Sequence, residues 1–173
     1  MKICPTVNAI IRFAVFALDL TTHSPVQTYQ LGQQLGAMIR EGDLICLSGE
    51  LGAGKTTLAS GIGNGWGAQE IVNSPTFVFV NEYSNTRGRR LYHIDAYRLR
   101  DAADSQSIAL DDILNDPDGA VMIEWAERIK EVLPDDYLQI DLTAPDDHSR
   151  RVRIEAKIPR YEERIKTLMI HEA

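Results

Sequence analysis

The stretch Gly49-Glu50-Leu51-Gly52-Ala53-Gly54-Lys55-Thr56 fits the pattern G-x-x-x-x-G-K-[ST] at every fixed position. Its flanks decide how it is read. Residues 44–47 form a short apolar run of buried-strand length, and a helix is expected over about 55–64. Strand, glycine-rich loop and helix are the setting in which this pattern holds phosphate. Glycines let the backbone curl until successive N–H groups face one anion, and the helix start adds its own N–H groups and positive dipole end. Gly49, Gly52, Ala53, Gly54, Lys55, Thr56 and Thr57 are therefore the candidate nucleotide-binding residues. Lys55 reaches the β- and γ-phosphates as a point charge, and the Thr56 hydroxyl is a candidate ligand of Mg2+. A chance glycine-rich turn is the plain alternative, and the flanking strand and helix argue against it. On this reading the chain binds a nucleoside triphosphate.

On the N-terminal side, Ser24-Pro25-Val26-Gln27 carries the marks of a helix start: a capping serine, proline at the first position and glutamine to close a capping box. Val26, Leu31, Leu35, Met38 and Ile39 follow as an apolar stripe, and Gly42 is a stop signal. On the C-terminal side, Gly61, Gly63, Gly65 and Gly67 weaken the end of the P-loop helix. Residues 77–83 and 91–95 read as strands joined by a hairpin loop, 105–114 as a helix, and 120–123 as a buried strand. Residues 137–142 and 151–157 alternate as half-buried strands, and Ile165, Leu168 and Met169 mark an amphipathic helix in the tail. The expected fold is α/β: a P-loop NTPase with a mixed, mainly parallel central sheet flanked by helices.

The 173 residues suit one domain, expected over 17–173 behind an N-terminal extension, 1–16. Apolar residues make up 44% and charged residues 25%, enough for a core and a solvated surface. Eighteen Lys+Arg against 25 Asp+Glu leave a net charge of -7, which argues against gripping nucleic acid through a general basic surface. Cys4 and Cys46 are too few for a disulfide framework and suit a reducing compartment. No apolar run approaches the about 20 residues of a membrane span. The run 10–18 is broken by Arg12, closed by Asp19 and lacks a cleavage site, so neither a signal peptide nor a membrane anchor is expected.

A P-loop needs an acidic residue at the end of a neighbouring strand. Asp95 and Glu124 both end apolar strand patterns, and strand C-termini in open α/β sheets converge on the ligand crevice. Ser74 and Thr76 lie in a loop that could sense the γ-phosphate, although on the residues alone an ordinary Ser-Pro turn is the better explanation. His93 alternates with Asp95 and shares its face, and reads either as an orienting group or as a core histidine. Trp125 follows Glu124, with core packing as its default. His23, His148 and His171 have no metal-ligand spacing and receive no role. Asn-Lys-x-Asp and Leu-Ser-Gly-Gly-Gln are both missing, which leaves guanine selectivity and an ABC ATPase unsupported. A small-molecule kinase and a non-catalytic nucleotide-binding adaptor stay open on the residues alone.

Four motifs taken together resemble the bacterial TsaE (YjeE) ATPases: the P-loop through Thr57, Asn73-Ser74-Pro75-Thr76-Phe77, His93-Ile94-Asp95-Ala96-Tyr97-Arg98-Leu99, and Ile123-Glu124-Trp125. Their order and spacing match over about 24–134. The resemblance implies an ATP hydrolase that needs Mg2+ and supports a TsaD–TsaB complex. That complex forms N6-threonylcarbamoyladenosine at position 37 of tRNAs reading codons that start with A. The resembling protein does not itself transfer the threonylcarbamoyl group, touches tRNA only indirectly and is cytoplasmic. Carried over, Lys55 holds phosphates, Thr56 with Glu124 holds Mg2+, and Asp95 is essential for hydrolysis. Ser74 and Thr76 fall on a switch-like loop, and Thr28 lines the base side of the nucleotide. His93 and Trp125 stand as a site wall. The sequence departs from the family at Ala109, where a glycine is usual, and direct tRNA contact through Arg87, Arg89 and Arg90 stays open as a minor possibility.

Overall fold

In a computed structural model, residues 8–12, 15–75, 79–99 and 108–170 are described. They build one eight-stranded sheet from β1 (Asn8–Arg12), β2 (Val15–Thr22), β3 (Leu44–Gly49), β4 (Val80–Ser84), β5 (Arg90–Asp95), β6 (Gly119–Glu124), β7 (Leu138–Thr143) and β8 (Arg150–Ala156). The strand order is β1-β2-β8-β7-β3-β6-β5-β4. The central strands β7, β3, β6 and β5 run parallel, and antiparallel pairs flank them on both sides. Every residue of β6 is buried, as its unbroken apolar run demands of a strand covered on both faces. β7 and β8 alternate buried and open positions, as their alternating sequence predicts.

Helices α1 (Pro25–Gly36), α2 (Lys55–Trp66) and α4 (Pro159–Ile170) cover one face through Leu31, Leu35, Leu58, Ile62, Tyr161 and Ile165. The short helix α3 (Leu110–Leu114) and the single turns Ala126–Arg128 and Lys130–Val132 cover the other face beside Leu44, Ile94, Val121 and Ile123. Helix α4 is tied to the start of β3. The Tyr161 hydroxyl accepts from the Leu44 N–H at 3.0 Å, and Arg164 forks onto the buried Asp43 carboxylate.

Three expected boundaries move. Helix α2 runs on to Trp66, two residues past the expected end, and stops at Gly67. Its glycines are contact points, not weak ends: a methyl group at Gly61 or Gly65 would overlap a carbonyl of α1, and one at Gly32 or Gly36 would overlap a carbonyl of α2. Helix α1 ends at Gly36, well before Gly42, and Met38 and Ile39 pack on the core from the turn beyond it. Helix α3 begins only at Leu110, because Ala109 takes a φ of 52° that no continuous α-helix accepts. The expected helix positions 105–107, strand positions 77–78 and loop residue Thr76 lie outside the described residues. Within the stretch read as an N-terminal extension, β1 pairs antiparallel with β2.

Candidate nucleotide site

Gly52 and Gly54 adopt φ values of 81° and 100°, a backbone region that side chains strongly disfavour, and so turn the chain between β3 and α2. The loop ends at Lys55, the first residue of α2. The Lys55 ammonium donates to the carbonyls of Gly49 at 2.6 Å and Glu50 at 2.8 Å. It also sits 3.5 Å from the centre of the Trp125 ring. Burial pushes the Lys55 pKa down, and the nearby carboxylates of Glu124, Glu127 and Asp95 oppose that shift.

Sheet register supplies the acidic residues. Asp95 and Glu124 are direct partners on the parallel strands β5 and β6, each at the C-terminal end. The Thr56 hydroxyl donates to Glu124 Oε2 at 3.0 Å, and His93 Nε2 lies 2.9 Å from Glu124 Oε1. Glu124 is 2% exposed and His93 is fully buried. Asp95 is more open. Its Oδ2 accepts from the Ser74 hydroxyl at 3.2 Å, and its Oδ1 accepts from the Tyr97 N–H at 2.9 Å. Trp125 has a φ of 61°, an uncommon value for a bulky residue, and its ring lies against Tyr97 with centroids 4.9 Å apart. Strained backbone at such a position is what a functional site tolerates.

A second recess of about 230 Å³ adjoins the loop, lined by Pro25 and Thr28 of α1, by Gly52, Gly54 and Thr57, and by His148 and Arg150. Ser24 caps α1 by accepting from the Gln27 N–H at 3.2 Å, and the Gln27 side chain accepts from the His23 N–H at 2.6 Å. That cap fixes the wall carrying Thr28. The Thr28 hydroxyl is shared with Thr22 at 2.7 Å and with the Ser24 carbonyl at 3.3 Å. Arg150 spans from the β7–β8 turn to the P-loop, donating to the carbonyls of Asp146, Ser149 and Gly52.

The structure thus gathers Lys55, Thr56, Ser74, His93, Asp95, Glu124 and Trp125 in one cluster and places Thr28 in the adjoining recess. Sequence reasoning gave no role to His23 and His148, which line that recess, and missed Arg150. No spacing in the chain links residue 150 to residue 52; only the sheet order does. The arginines at the β4–β5 turn are partly committed within the molecule: Arg89 pairs with Glu41, and Arg90 forks onto Asp116. Among the described residues no group of three or more His, Cys, Asp and Glu side chains could hold a metal ion. Thr56 and Glu124 offer two oxygen groups. That set suits Mg2+, which takes its remaining ligands from water and substrate phosphates.

A mixed sheet with a parallel centre, a glycine-rich loop at the end of β3, a threonine in the first turn of the next helix and an acid closing the neighbouring strand define a P-loop NTPase fold. Residues 22–152 match the family model described as "Threonylcarbamoyl adenosine biosynthesis protein TsaE". A Bacillus subtilis protein named "tRNA threonylcarbamoyladenosine biosynthesis protein TsaE" is 38% identical over 90% of this chain and 96% of its own length. An Aquifex aeolicus protein of the same name is 35% identical over 80% and 96%. The crystal structure of Bacillus subtilis YdiB superposes with a TM-score of 0.78 at 32% identity, covering 94% of this chain and all of that one. The chain belongs to the TsaE family, whose members take part in making threonylcarbamoyladenosine in tRNA.

Proposed function

We propose that the chain binds and hydrolyses Mg-ATP in the cytoplasm in support of a TsaD–TsaB complex. That complex forms N6-threonylcarbamoyladenosine at position 37 of tRNAs reading ANN codons. The observation that carries the ATPase reading is the Thr56 hydroxyl donating to Glu124 beside a P-loop, with Asp95 level with Glu124 on the next strand. The tRNA setting comes from the family.

The P-loop N–H groups and the start of α2 bind the triphosphate. Lys55 has three donors, and phosphate oxygens are stronger acceptors than the two carbonyls it bonds. Thr56 and Glu124 hold Mg2+, which supplies neutralising charge to the β- and γ-phosphates. Asp95 accepts one hydrogen bond on each oxygen, and each oxygen keeps a further lone pair. It orients the attacking water. Ser74 bonds that carboxylate, so the position of Ser74 is coupled to the hydrolytic group. Thr28 and Arg150 wall the recess on the nucleoside side.

Calorimetric titration of the purified chain with ADP and Mg2+ tests the binding half of this reading. The parent binds, and Lys55→Ala weakens binding by at least about tenfold, the loss of a charge-assisted contact. Equal binding by the two proteins would overturn it. Transfer of phosphate to a metabolite, with little release to water, would replace hydrolysis with a kinase reaction.

A further inference from the structure

His93 is a buried polar ring on the face of β5 that also carries Leu91 and Asp95, paired across the sheet with Met122 of β6 and Asn81 of β4. It is fully buried, and its Nδ1 has no hydrogen-bond partner among the described residues. Its hydrogen bond is the one to Glu124 Oε1, at 2.9 Å. Burying an imidazole for one bond is unfavourable compared with burying a phenyl ring of similar size. The bond to Glu124 is therefore what a phenyl ring could not supply. A carboxylate accepts, so His93 Nε2 is the donor in that bond.

Glu124 explains what that bond does. The acid that serves Mg2+ in many P-loop proteins is an aspartate. Glutamate is one methylene longer and has one more rotatable bond, so it must be held if it is to keep one position. Here each carboxylate oxygen has its own donor. Oε2 takes the Thr56 hydroxyl from α2, and Oε1 takes His93 Nε2 from β5. Two donors from two separate elements fix both ends of the carboxylate, and Thr56 keeps its lone pairs for the ion.

We infer that His93 is a positioning residue: it clamps the longer Glu124 side chain in the one orientation that, with Thr56, receives nucleotide-bound Mg2+. This rests on the Mg-nucleotide reading above. Its consequence is specific to the ion. Loss of the donor weakens the Mg2+-dependent part of nucleotide binding and leaves the phosphate-loop part in place.

The test is calorimetric titration of the full chain with ADP, with Mg2+ and with EDTA, in the parent, His93→Phe, His93→Gln and His93→Asn. In the parent Mg2+ tightens ADP binding. In His93→Phe, Mg2+-free binding stays near the parent's while the gain from Mg2+ falls by at least about tenfold, the usual effect of removing a group that orients a metal ligand. Glutamine can place its amide N–H where Nε2 stands, whereas asparagine reaches only the Nδ1 position. His93→Gln therefore keeps most of the Mg2+ gain and His93→Asn loses it. That pair decides the matter even if His93→Phe fails to fold. A full Mg2+ gain in His93→Phe, or equal losses in the glutamine and asparagine variants, would overturn the inference while leaving the ATPase reading intact. A parent that binds ADP without any Mg2+ effect would overturn both.

Discussion

Glu124 and Asp95 end adjacent strands at the same level, yet their surroundings differ, and the proposed roles follow that difference. Glu124 is sealed in and bonded on both oxygens, which suits a fixed ligand; Asp95 is only partly buried and retains acceptor positions, which suits a water-orienting group. A third acid, Asp141, shows what a carboxylate costs away from the site. Burial pushes its pKa up, and the hydrogen bond from Gln139 only partly offsets this. An acid whose pKa is raised on folding destabilises the fold once ionised. The loss develops as pH rises from the ordinary aspartate value of about 3.9 through the raised one, and stays constant above it. Asp141→Asn is therefore expected to raise the thermal midpoint at neutral pH, with the gain vanishing in acid; paired melting curves across that range check it. At this scale the sequence was most informative where chemistry and chain order coincide, as in Lys55, Thr56, Asp95 and Glu124. Arg150 was illegible as a site residue, because a contact across the sheet leaves no local pattern; Trp125 was read as a site wall through the resemblance, but its positive φ and its contact with Lys55 were not legible.

Elements were read well wherever apolar periodicity was strong, and their ends were missed where glycine or backbone conformation overrode it. The glycines of α2 looked like helix breakers, yet they let α1 and α2 approach until backbone meets backbone. That approach joins the wall bearing Thr28 to the P-loop helix. Gly36→Ala puts a methyl group into the Ile62 carbonyl, and is expected to cost about 1–3 kcal/mol of stability and to weaken nucleotide binding. Denaturant titration and calorimetry measure the two effects. Ala109 gives the opposite case. Its φ of 52° explains why glycine is usual there, and Ala109→Gly is expected to stabilise the chain by about 0.5–1 kcal/mol, read as a higher denaturant midpoint.

For the whole molecule, the parallel centre of the sheet delivers the strand ends and the P-loop to one edge. The antiparallel flank brings Arg150 to the same place. The mixed sheet was legible in the alternation of helices and strands; the strand order was not, because nothing in the chain states that β8 lies between β2 and β7. A net charge of -7 and arginines committed to Glu41 and Asp116 fit a protein that serves tRNA modification through a partner. The most direct measurement is free phosphate released from Mg-ATP by the purified chain and by Asp95→Ala, each alone and with the TsaD–TsaB complex of its own organism. The account predicts slow turnover by the parent alone and a clear rise with the complex. In Asp95→Ala turnover falls by at least about a hundredfold, with nucleotide binding retained. Turnover unaffected by the complex, or undiminished in Asp95→Ala, would contradict it.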